Sequence, residues 1–275
     1  MKKLLSKMIM LLLVVALGFA FVGCSKDDEN KTKKSDLEKV QDAKVINVGI
    51  TIYDPMDYFA EDGETITGFD AELTNKFAEE LGVRARFTLI SWDNKVMELN
   101  GGYIDLIWNG MTASEELGKK VDFSTAYATN FQCVVVKKAN VANFNTVDDL
   151  KNKQVAVENQ SAGDSVLEGI VTPNRVASQL DALNEVKAGT SDCAVIDYTM
   201  ACSVVGKGEY ADMEVVDSNK IAFEKEVFAV GARQGSDLIA KLNEFFAKEY
   251  KNGNLQALAT KYEVAINEDA FKDVK

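Results

Sequence analysis

Carboxylates and scattered thiols are the side chains that could carry chemistry here, because the chain contains no histidine. That absence removes the residue most often used for acid–base work near neutrality and the commonest metal ligand. Asp197 follows the apolar run Ala194-Val195-Ile196 and, if buried, needs hydrogen-bond donors or a positive partner. Cys133, Cys193 and Cys202 form no CxxC pair, which predicts buried free thiols, with a Cys193–Cys202 bridge as the alternative. The lack of histidine therefore argues against a metal site and against histidine-based catalysis, and we expect no cofactor.

A fourth thiol, Cys24, ends the segment Phe21-Val22-Gly23-Cys24, which resembles the cleavage and lipid-attachment signal of bacterial lipoproteins. An uncharged run precedes it, shorter than the roughly 20 residues of a spanning helix, and it follows a start that carries Lys2, Lys3 and Lys7. Phe21 departs from the usual Leu, so an ordinary signal peptide with a chance cysteine is the alternative. We expect a signal peptide over residues 1–23, a lipid on Cys24 and a location on the outer face of the cell membrane.

The charge of the chain argues against a nucleic-acid partner, since acidic residues number 43 and basic residues 31. No Gly-rich Walker loop occurs, which argues against a nucleotide hydrolase. Residues 24–44 are nearly all polar or charged and predict a flexible tether after the lipid. No later apolar run is long enough to span a membrane, and the remaining length suits two lobes better than one core.

Strands and helices alternate along this body, which predicts an α/β fold with mainly parallel sheets. The predicted strands are 45–51, 84–90, 104–108, 132–137, 154–158, 193–197 and 227–232. Leu73, Phe77 and Leu81 recur every four residues and predict a helix over residues 70–81. A second such stripe predicts a helix that Ser236 caps and Gly253 closes, followed by a last helix over 254–262.

Seven stretches in the right order resemble the extracellular solute-binding proteins of polar amino-acid importers. They include VINVGITIYDPMDYF, TGFDAELTNKFAEELGV, ISWDNKVMELNGGYIDLIWNGMT and LDALNEVKAGTSDCAVIDYTMA. The resemblance implies the type 2 periplasmic-binding-protein fold, in which two α/β lobes joined by two crossing strands enclose a cleft. It implies a first lobe over residues 45–130, a second over 131–225, a return to the first over 226–265 and a loose tail over 266–275.

The same resemblance implies a site for an amino acid or related small amine. Tyr53 and Trp92 are expected as apolar walls, and Asp197 as acceptor for the ammonium group. The groups expected to hold the rest of the ligand come from two loops, namely Asn109, Gly110 and Thr112 in the first lobe and Ser161 and Ala162 in the second. Ser161 and Ala162 open a helix, whose free N–H groups suit a carboxylate; each of these residues could instead be an ordinary core, turn or cap residue.

Two positions depart from the family pattern. Leu117 stands where members usually carry an arginine that forks onto the ligand carboxylate, a contact worth about 1.5–3 kcal/mol. Lys119 or Lys120 could replace it only as point charges, and a solvated helix end is their simpler interpretation. Glu158 adds a second acid close to the site, so we expect an acid-rich, arginine-poor pocket for a positive or neutral polar ligand.

The resemblance further implies an ABC permease with its ATPase as partner, and a monomer. It favours ligand capture without catalysis. Two alternatives stay open: a sensor or adhesin lipoprotein whose cleft has lost its ligand, and a secreted dehydratase of the same fold. The dehydratase must hold a dianion, for which this chain lacks both the matching arginine and any histidine.

Overall fold

The computed structural model describes residues 34–274. The predicted signal peptide, the lipidation site Cys24 and most of the predicted tether lie outside the described residues. Within residues 34–274, no helix has both the length and the apolar character needed to cross a membrane.

Thirteen strands and nine α-helices make up this part of the chain. The strands are β1 Val45–Ile50, β2 Tyr58–Phe59, β3 Ile66–Thr67, β4 Arg84–Leu89, β5 Leu106–Ile107, β6 Asp122–Phe123, β7 Ala128–Lys137, β8 Val155–Glu158, β9 Asn174–Val176, β10 Cys193–Asp197, β11 Met213–Val215, β12 Lys225–Phe228 and β13 Gly231–Ala232. The helices are α1 Asp36–Ala43, α2 Phe69–Glu80, α3 Lys95–Asn100, α4 Glu115–Gly118, α5 Ala162–Val166, α6 Gln179–Ala188, α7 Tyr198–Val204, α8 Leu238–Lys251 and α9 Asn254–Tyr262. Short 3₁₀ helices occur at Trp92–Asn94, Lys138–Asn143, Val147–Asn152, Gly208–Tyr210 and Glu268–Phe271.

Two sheets form the centres of two lobes, as the sequence predicts. The first has five strands in the order β4-β1-β5-β13-β6, and the second has six, in the order β11-β7-β10-β8-β9 with β12 also on β7. Parallel pairs occur in both sheets, but β7, β11, β12 and β13 pair antiparallel. The expectation of mainly parallel sheets is therefore wrong, because the strands that cross between lobes run against the βαβ units.

The crossing is made by β7 and β12. The chain leaves the first sheet after β6, and the first residues of β7, Ala128–Phe131, pair with β12. The rest of β7 pairs with β10 and β11 in the second sheet. After β12 the chain returns to the first sheet as β13, so two antiparallel segments join the lobes.

Aromatic side chains fasten the C-terminal helix α8 to the first sheet. Phe245 lies 5.4 Å from the ring of Phe77 on α2, and Phe246 stacks on Tyr127 at 5.1 Å. Trp108, which follows β5, lies 5.5 Å from Phe246. Burial of such rings contributes about 1.5–3 kcal/mol each, so the returning helix is a major part of the core of the first lobe.

The predicted tether is wrong over its last residues, because Asp36–Ala43 forms helix α1. Ser35 caps this helix with a reciprocal bond to Glu38, and Val40 is buried. Arg233 binds Asp36 at 2.9 Å. A polar sequence is held in place here by a cap, by the packing of Val40 and Leu37 and by the ion pair with Arg233, which composition does not show.

The loose tail predicted for residues 266–275 is also wrong in part. Glu268–Phe271 forms a 3₁₀ turn, and Phe271 is buried against the ring of Tyr250 at 4.5 Å. Asn267 adds two hydrogen bonds, from its N–H to the carbonyl of Tyr127 and from its amide to the carbonyl of Ala126, each at 3.1 Å, so this segment is fixed on the body.

The three described cysteines are free, so the alternative of a Cys193–Cys202 bridge is wrong. Cys133 and Cys193 are buried, as predicted. Cys202 is exposed on α7, which corrects the prediction that it is buried.

Candidate functional site

Asp197 ends strand β10 in a buried ring of amide groups. Its carboxylate accepts hydrogen bonds from Gln132 Nε2 at 2.6 Å and from the side chains of Asn130 and Gln179. Gln179 also accepts from the backbone N–H of Asp197 at 2.9 Å. Burial, followed by the charge of Glu226, raises the pKa of Asp197 to about 7.

Glu226, at the crossing strand β12, is a site residue that the sequence analysis missed. Its carboxylate accepts from Gln132 Nε2 at 2.6 Å, from Asn130 Nδ2 at 3.0 Å and from Thr112 Oγ1 at 2.5 Å. Asp197 and Glu226 therefore share two amide donors. No Lys or Arg nitrogen of residues 34–274 pairs with either carboxylate, so neither acid has a cationic partner there.

Tyr53 of the first lobe faces this acidic pair. Its side chain is 3 % exposed, and its hydroxyl is buried without a hydrogen-bond partner in the described residues. Burial, followed by the negative charges of Asp197 and Glu226, raises the pKa of Tyr53 well above its usual value. The predicted wall residue and the predicted ammonium acceptor are therefore neighbours across the cleft.

Gly110 lets the loop after β5 approach Tyr53. It has φ +57°, and a Cβ at this position would lie 2.7 Å from Cε1 of the Tyr53 ring, so a side chain here meets both backbone strain and a steric clash. Its N–H donates to Asp70 at 2.7 Å. The neighbouring Thr112 is half-buried and points its hydroxyl at Glu226.

Asn109 uses its side chain to hold its own loop in place. Its carbonyl oxygen accepts from the N–H and hydroxyl of Thr51 at 2.9 and 2.7 Å, and its amide donates to the Thr51 carbonyl at 3.0 Å and to Asp57 at 2.7 Å. Asp57 and Asp70 lie behind the loop as fully buried acids, and burial raises the pKa of both. The structure thus places Asn109 behind the cleft, as the residue that fixes the loop.

Trp92 and Lys95 form the opposite wall of the cleft. Lys95, which the sequence analysis missed, is 4 % exposed, and its Nζ lies 4.5 Å above the ring of Trp92. Nζ donates to the carbonyl oxygens of Trp92 and of Gln160, each at 3.0 Å. Since Gln160 belongs to the second lobe, Lys95 joins the two lobes. Burial lowers its pKa to about 8, while Glu158 opposes that shift.

Glu158 ends strand β8, beside the strand that Asp197 ends. It is 4 % exposed. Burial, followed by the charge of Asp197, raises its pKa to about 8, and Lys95 opposes that shift. The carboxyl ends of the two parallel strands thus bring both acids to one rim of the second sheet, where ligands of α/β sheets usually bind.

Ser161 caps the short helix α5, which begins at Ala162. Its Oγ accepts from the N–H of Asp164 at 3.1 Å. Asp164 takes the N–H of Gln160 at 3.2 Å and the Nε of Arg175 at 2.8 Å. A carboxylate of the chain therefore already lies at this helix start, which leaves less room for a ligand carboxylate than the sequence suggests.

The two lobes touch across the cleft, so the arrangement is closed. Asn159 of the second lobe donates to Asp93 of the first at 3.2 Å, and Ser203 bonds to Asp54. Together with the contact between Lys95 and Gln160, these bonds span the opening at three points.

Leu117 contributes packing instead of charge. It is half-buried against the cluster that holds Trp92, Ile107 and Met111. Lys119 and Lys120 pair with Glu115 and Glu116 at 3.3 and 2.8 Å on the exposed helix α4. The structure therefore favours the interpretation of these lysines as a solvated helix end.

The missed residues carried weak signals. Asn130 and Gln132 alternate with apolar residues along a strand, and Glu226 precedes an apolar strand; both patterns also fit an ordinary solvated face. Lys95 and Gln179 sit in helices, where polar residues are common. Only their three-dimensional placement distinguishes them.

The chain is similar to known proteins in both sequence and structure. A family model described as "Bacterial extracellular solute-binding proteins, family 3" matches residues 46–265. The L-cystine-binding protein TcyJ of Escherichia coli (strain K12) is 32 % identical over 231 residues, or 82 % of this chain and 85 % of that protein. The arginine-binding extracellular protein ArtP of Bacillus subtilis (strain 168) is 27 % identical over 264 residues, or 94 % of this chain and 98 % of that protein.

Solved structures show the same similarity. An ABC uptake transporter substrate-binding protein from Streptococcus pneumoniae, with bound histidine, has a TM-score of 0.76 at 32 % identity, covering 83 % of this chain and 96 % of its own. The ancestral amino acid-binding protein AncCDT-1, a precursor of cyclohexadienyl dehydratase, has a TM-score of 0.75 at 28 % identity, covering 83 % of this chain and 99 % of its own.

Proposed function

The chain belongs to the bacterial extracellular solute-binding proteins, family 3, and from that premise we propose that it captures an amino acid for an ABC importer. The observation that carries the proposal is the shared hydrogen bonding of Asp197 and Glu226. Two neighbouring carboxylates without a cationic partner among the described residues need a positive group, and an ammonium group supplies it. The relatives named for L-cystine, arginine and histidine support a ligand of the amino-acid class.

In this proposal the ammonium group binds Asp197, with Tyr53 and Trp92 against the hydrocarbon part. The hydroxyl of Tyr53 lies beside the carboxylate of Asp197 and faces the same space. The N–H groups of Ser161 and Gln160 are already used within the chain. The N–H of Gly110 is likewise used, since it donates to Asp70. The carboxylate therefore draws its donors from Ala162 and from Thr112, whose hydroxyl leaves Glu226 when the ligand binds.

Closure of the lobes follows from these contacts. A ligand held by Thr112 of one lobe and Asp197 of the other stabilises only the arrangement in which both are near, so it shifts the population to the closed form. The contacts at Lys95, Asp93 and Asp54 add to that form. The closed protein then delivers its ligand to a permease with its ATPase.

Membrane attachment through Cys24 is part of the proposal. The family is extracellular, and a lipid on Cys24 keeps the body near its permease as a monomer. Incorporation of a labelled fatty acid into the wild type, and its loss in Cys24→Ala, would test the anchor. Labelling that persists in Cys24→Ala would contradict it.

We also propose that the site performs no reaction. Asp197, Glu226 and Glu158 repel the dianion on which a prephenate-type dehydratase acts, and Leu117 supplies no guanidinium. The ancestral precursor of cyclohexadienyl dehydratase is itself described as an amino acid-binding protein. Incubation with prephenate-type acids should give no turnover, and measurable turnover would restore the enzymatic alternative.

One experiment tests the main proposal. The full-length protein in mild detergent is titrated calorimetrically with the protein amino acids and L-cystine, with melting temperature as a second measurement. We expect at least one to bind and to raise the melting temperature, because a ligand that binds only the folded form stabilises it. No binding by any would favour a sensor or adhesin that has lost its ligand.

A further inference from the structure

Lys95 is a buried cation without an ion-pair partner. Of the acids in residues 34–274, none lies within ion-pair distance of its Nζ, although Glu158 and Asp93 are close enough to influence it. Two of its three N–H donors point at the carbonyls of Trp92 and Gln160. The third donor has no hydrogen-bond partner among the described residues. A buried ammonium group that lacks an anion is costly, so an anionic group on a ligand would stabilise it.

Glu158 is a buried carboxyl group that, like Lys95, lacks an ion-pair partner among the described residues. It is buried at the end of β8, and its carboxylate accepts no hydrogen bond from the described residues. Lys95 attracts it through space, but the two groups do not meet. If Lys95 and Glu158 served only to hold the lobes together, a direct ion pair between them would be sufficient.

We propose that Lys95 and Glu158 form a distal subsite for a second ammonium–carboxylate pair on the ligand, which is thus an amino acid with a zwitterion at each end. This inference rests on the proposed function, in which Asp197 holds the first ammonium group. Lys95 donates to the distal carboxylate and Glu158 accepts from the distal ammonium group. The ring of Trp92, under Lys95, covers the linker.

Other side chains meet a like charge at this subsite. A guanidinium or single ammonium group gains Glu158 but approaches Lys95, and a single carboxylate gains Lys95 but approaches Glu158. An apolar side chain leaves both groups buried and unpaired. Only a head with both charges, or more weakly an amide, satisfies the two residues together.

The sheet indicates a short linker. Glu158 ends β8 and Asp197 ends β10, two strands that pair in parallel with backbones about 4.8 Å apart. Because the two carboxyl groups start from neighbouring strand ends, the proposal favours a ligand with only a few atoms between its two α-carbons. L-Cystine and its thioether analogue L-cystathionine have this form and serve as probes.

The test is calorimetry on full-length protein in mild detergent, with L-cystine, L-cystathionine, L-arginine, L-glutamate and L-methionine. The wild type should bind a two-headed probe at least about tenfold more tightly than the other three, as one charge-assisted contact permits. Lys95→Met and Glu158→Gln should each remove about tenfold for two-headed probes and leave L-methionine within about twofold. Lys241→Met, which removes an exposed lysine of α8, is the matched control and should change neither.

The outcomes separate the two proposals. If a one-headed amino acid binds as tightly as the two-headed probes, or if both variants keep the wild-type preference, the distal subsite is wrong while amino-acid capture stands. If no amino acid binds the wild type, capture itself fails and the subsite with it. Because Glu158→Gln keeps the shape of the side chain, it decides the matter even if Lys95→Met does not fold.

Discussion

The carboxylates of Asp197 and Glu226 both accept a hydrogen bond from Nε2 of Gln132, each at 2.6 Å. One acid lies at the end of a strand in the second lobe and the other on the segment that crosses back to the first. Their negative charges oppose each other unless a proton or a cation intervenes. In the proposed function, the ammonium group of the ligand is that cation.

The first prediction concerns Asp197→Ala. It should weaken binding of an amino-acid ligand by about 30-fold or more, since truncating one partner of a buried charged contact costs at least about 2 kcal/mol. Calorimetry measures the change, and Glu168→Ala, which removes an exposed acid of the same lobe, is the control. An affinity within about twofold of wild type would mean that Asp197 is not the ammonium acceptor.

The second prediction is that ligand affinity rises with pH between 6 and 8. The pKa of Asp197 is raised to about 7, and only its ionised form attracts an ammonium group. Glu226→Gln removes the neighbouring negative charge, lowers that pKa and should move the rise to lower pH. Titrations at several pH values measure both curves; a flat curve for the wild type would count against Asp197 as the controlling group.

The third prediction is that the stability of the ligand-free protein falls as the pH rises, the opposite of the change in ligand affinity. The pKa of Asp197 is raised from 3.8 to about 7, so folding favours its protonated form. Its contribution to stability is therefore fully present below pH 3.8 and is lost as the pH rises through 7. Urea unfolding of wild type and Asp197→Asn should show a shallower loss between pH 4 and 7 in the variant; parallel curves would contradict the assignment.

The fourth prediction concerns Arg233, which joins helix α1 to the first lobe. It binds Asp36 at 2.9 Å, Asp105 at 3.2 Å and the carbonyls of Leu99 and Ile104 at 3.0 and 2.8 Å. Arg233→Met should lower the free energy of unfolding by about 2–4 kcal/mol, because two largely buried acids lose their cation. Exposed Arg84→Met is the control. An equal, small loss in both variants would show that the cluster contributes little.

The fifth prediction separates strain from clash at Gly110. Gly110→Ala meets an unfavourable positive φ and the ring of Tyr53, and should cost about 2–4 kcal/mol of stability. Gly63→Ala has a similar φ with no atom within 4 Å, and should cost only about 1 kcal/mol. Thermal or urea unfolding gives both values, and equal losses would show that the contact with Tyr53 is unimportant.

Much of the fold could be predicted from local pattern. Helix 254–262 and strand 193–197 have the predicted bounds, because apolar periodicity and Gly253 define them locally. The predicted strand 227–232 is two strands, β12 and β13, since the chain changes sheets at Ala229-Val230. Helix α8 begins after Asp237, while the hydroxyl of Ser236 accepts from the N–H of Leu238 at 3.4 Å, so the predicted cap is close but one residue early.

Less of the site than of the fold could be predicted from the sequence. Tyr53 and Asp197 could be named through the family pattern, and the structure brings them together. Lys95 and Glu226 could not be named, because their contacts with the rest of the site form only when the two lobes come together. Asn109 illustrates the converse: a polar residue in the right loop can have all its hydrogen bonds directed into the scaffold.

Strand β7 has a consequence for how occupancy is signalled. Asn130 and Gln132, whose side-chain amides donate to both acids, belong to β7, one of the two segments that cross between the lobes. The residues that contact the acids and the segment that joins the lobes are thus one continuous stretch of backbone. We therefore expect a cation bound between the two acids to restrain the segment that joins the lobes as well as to occupy the cleft.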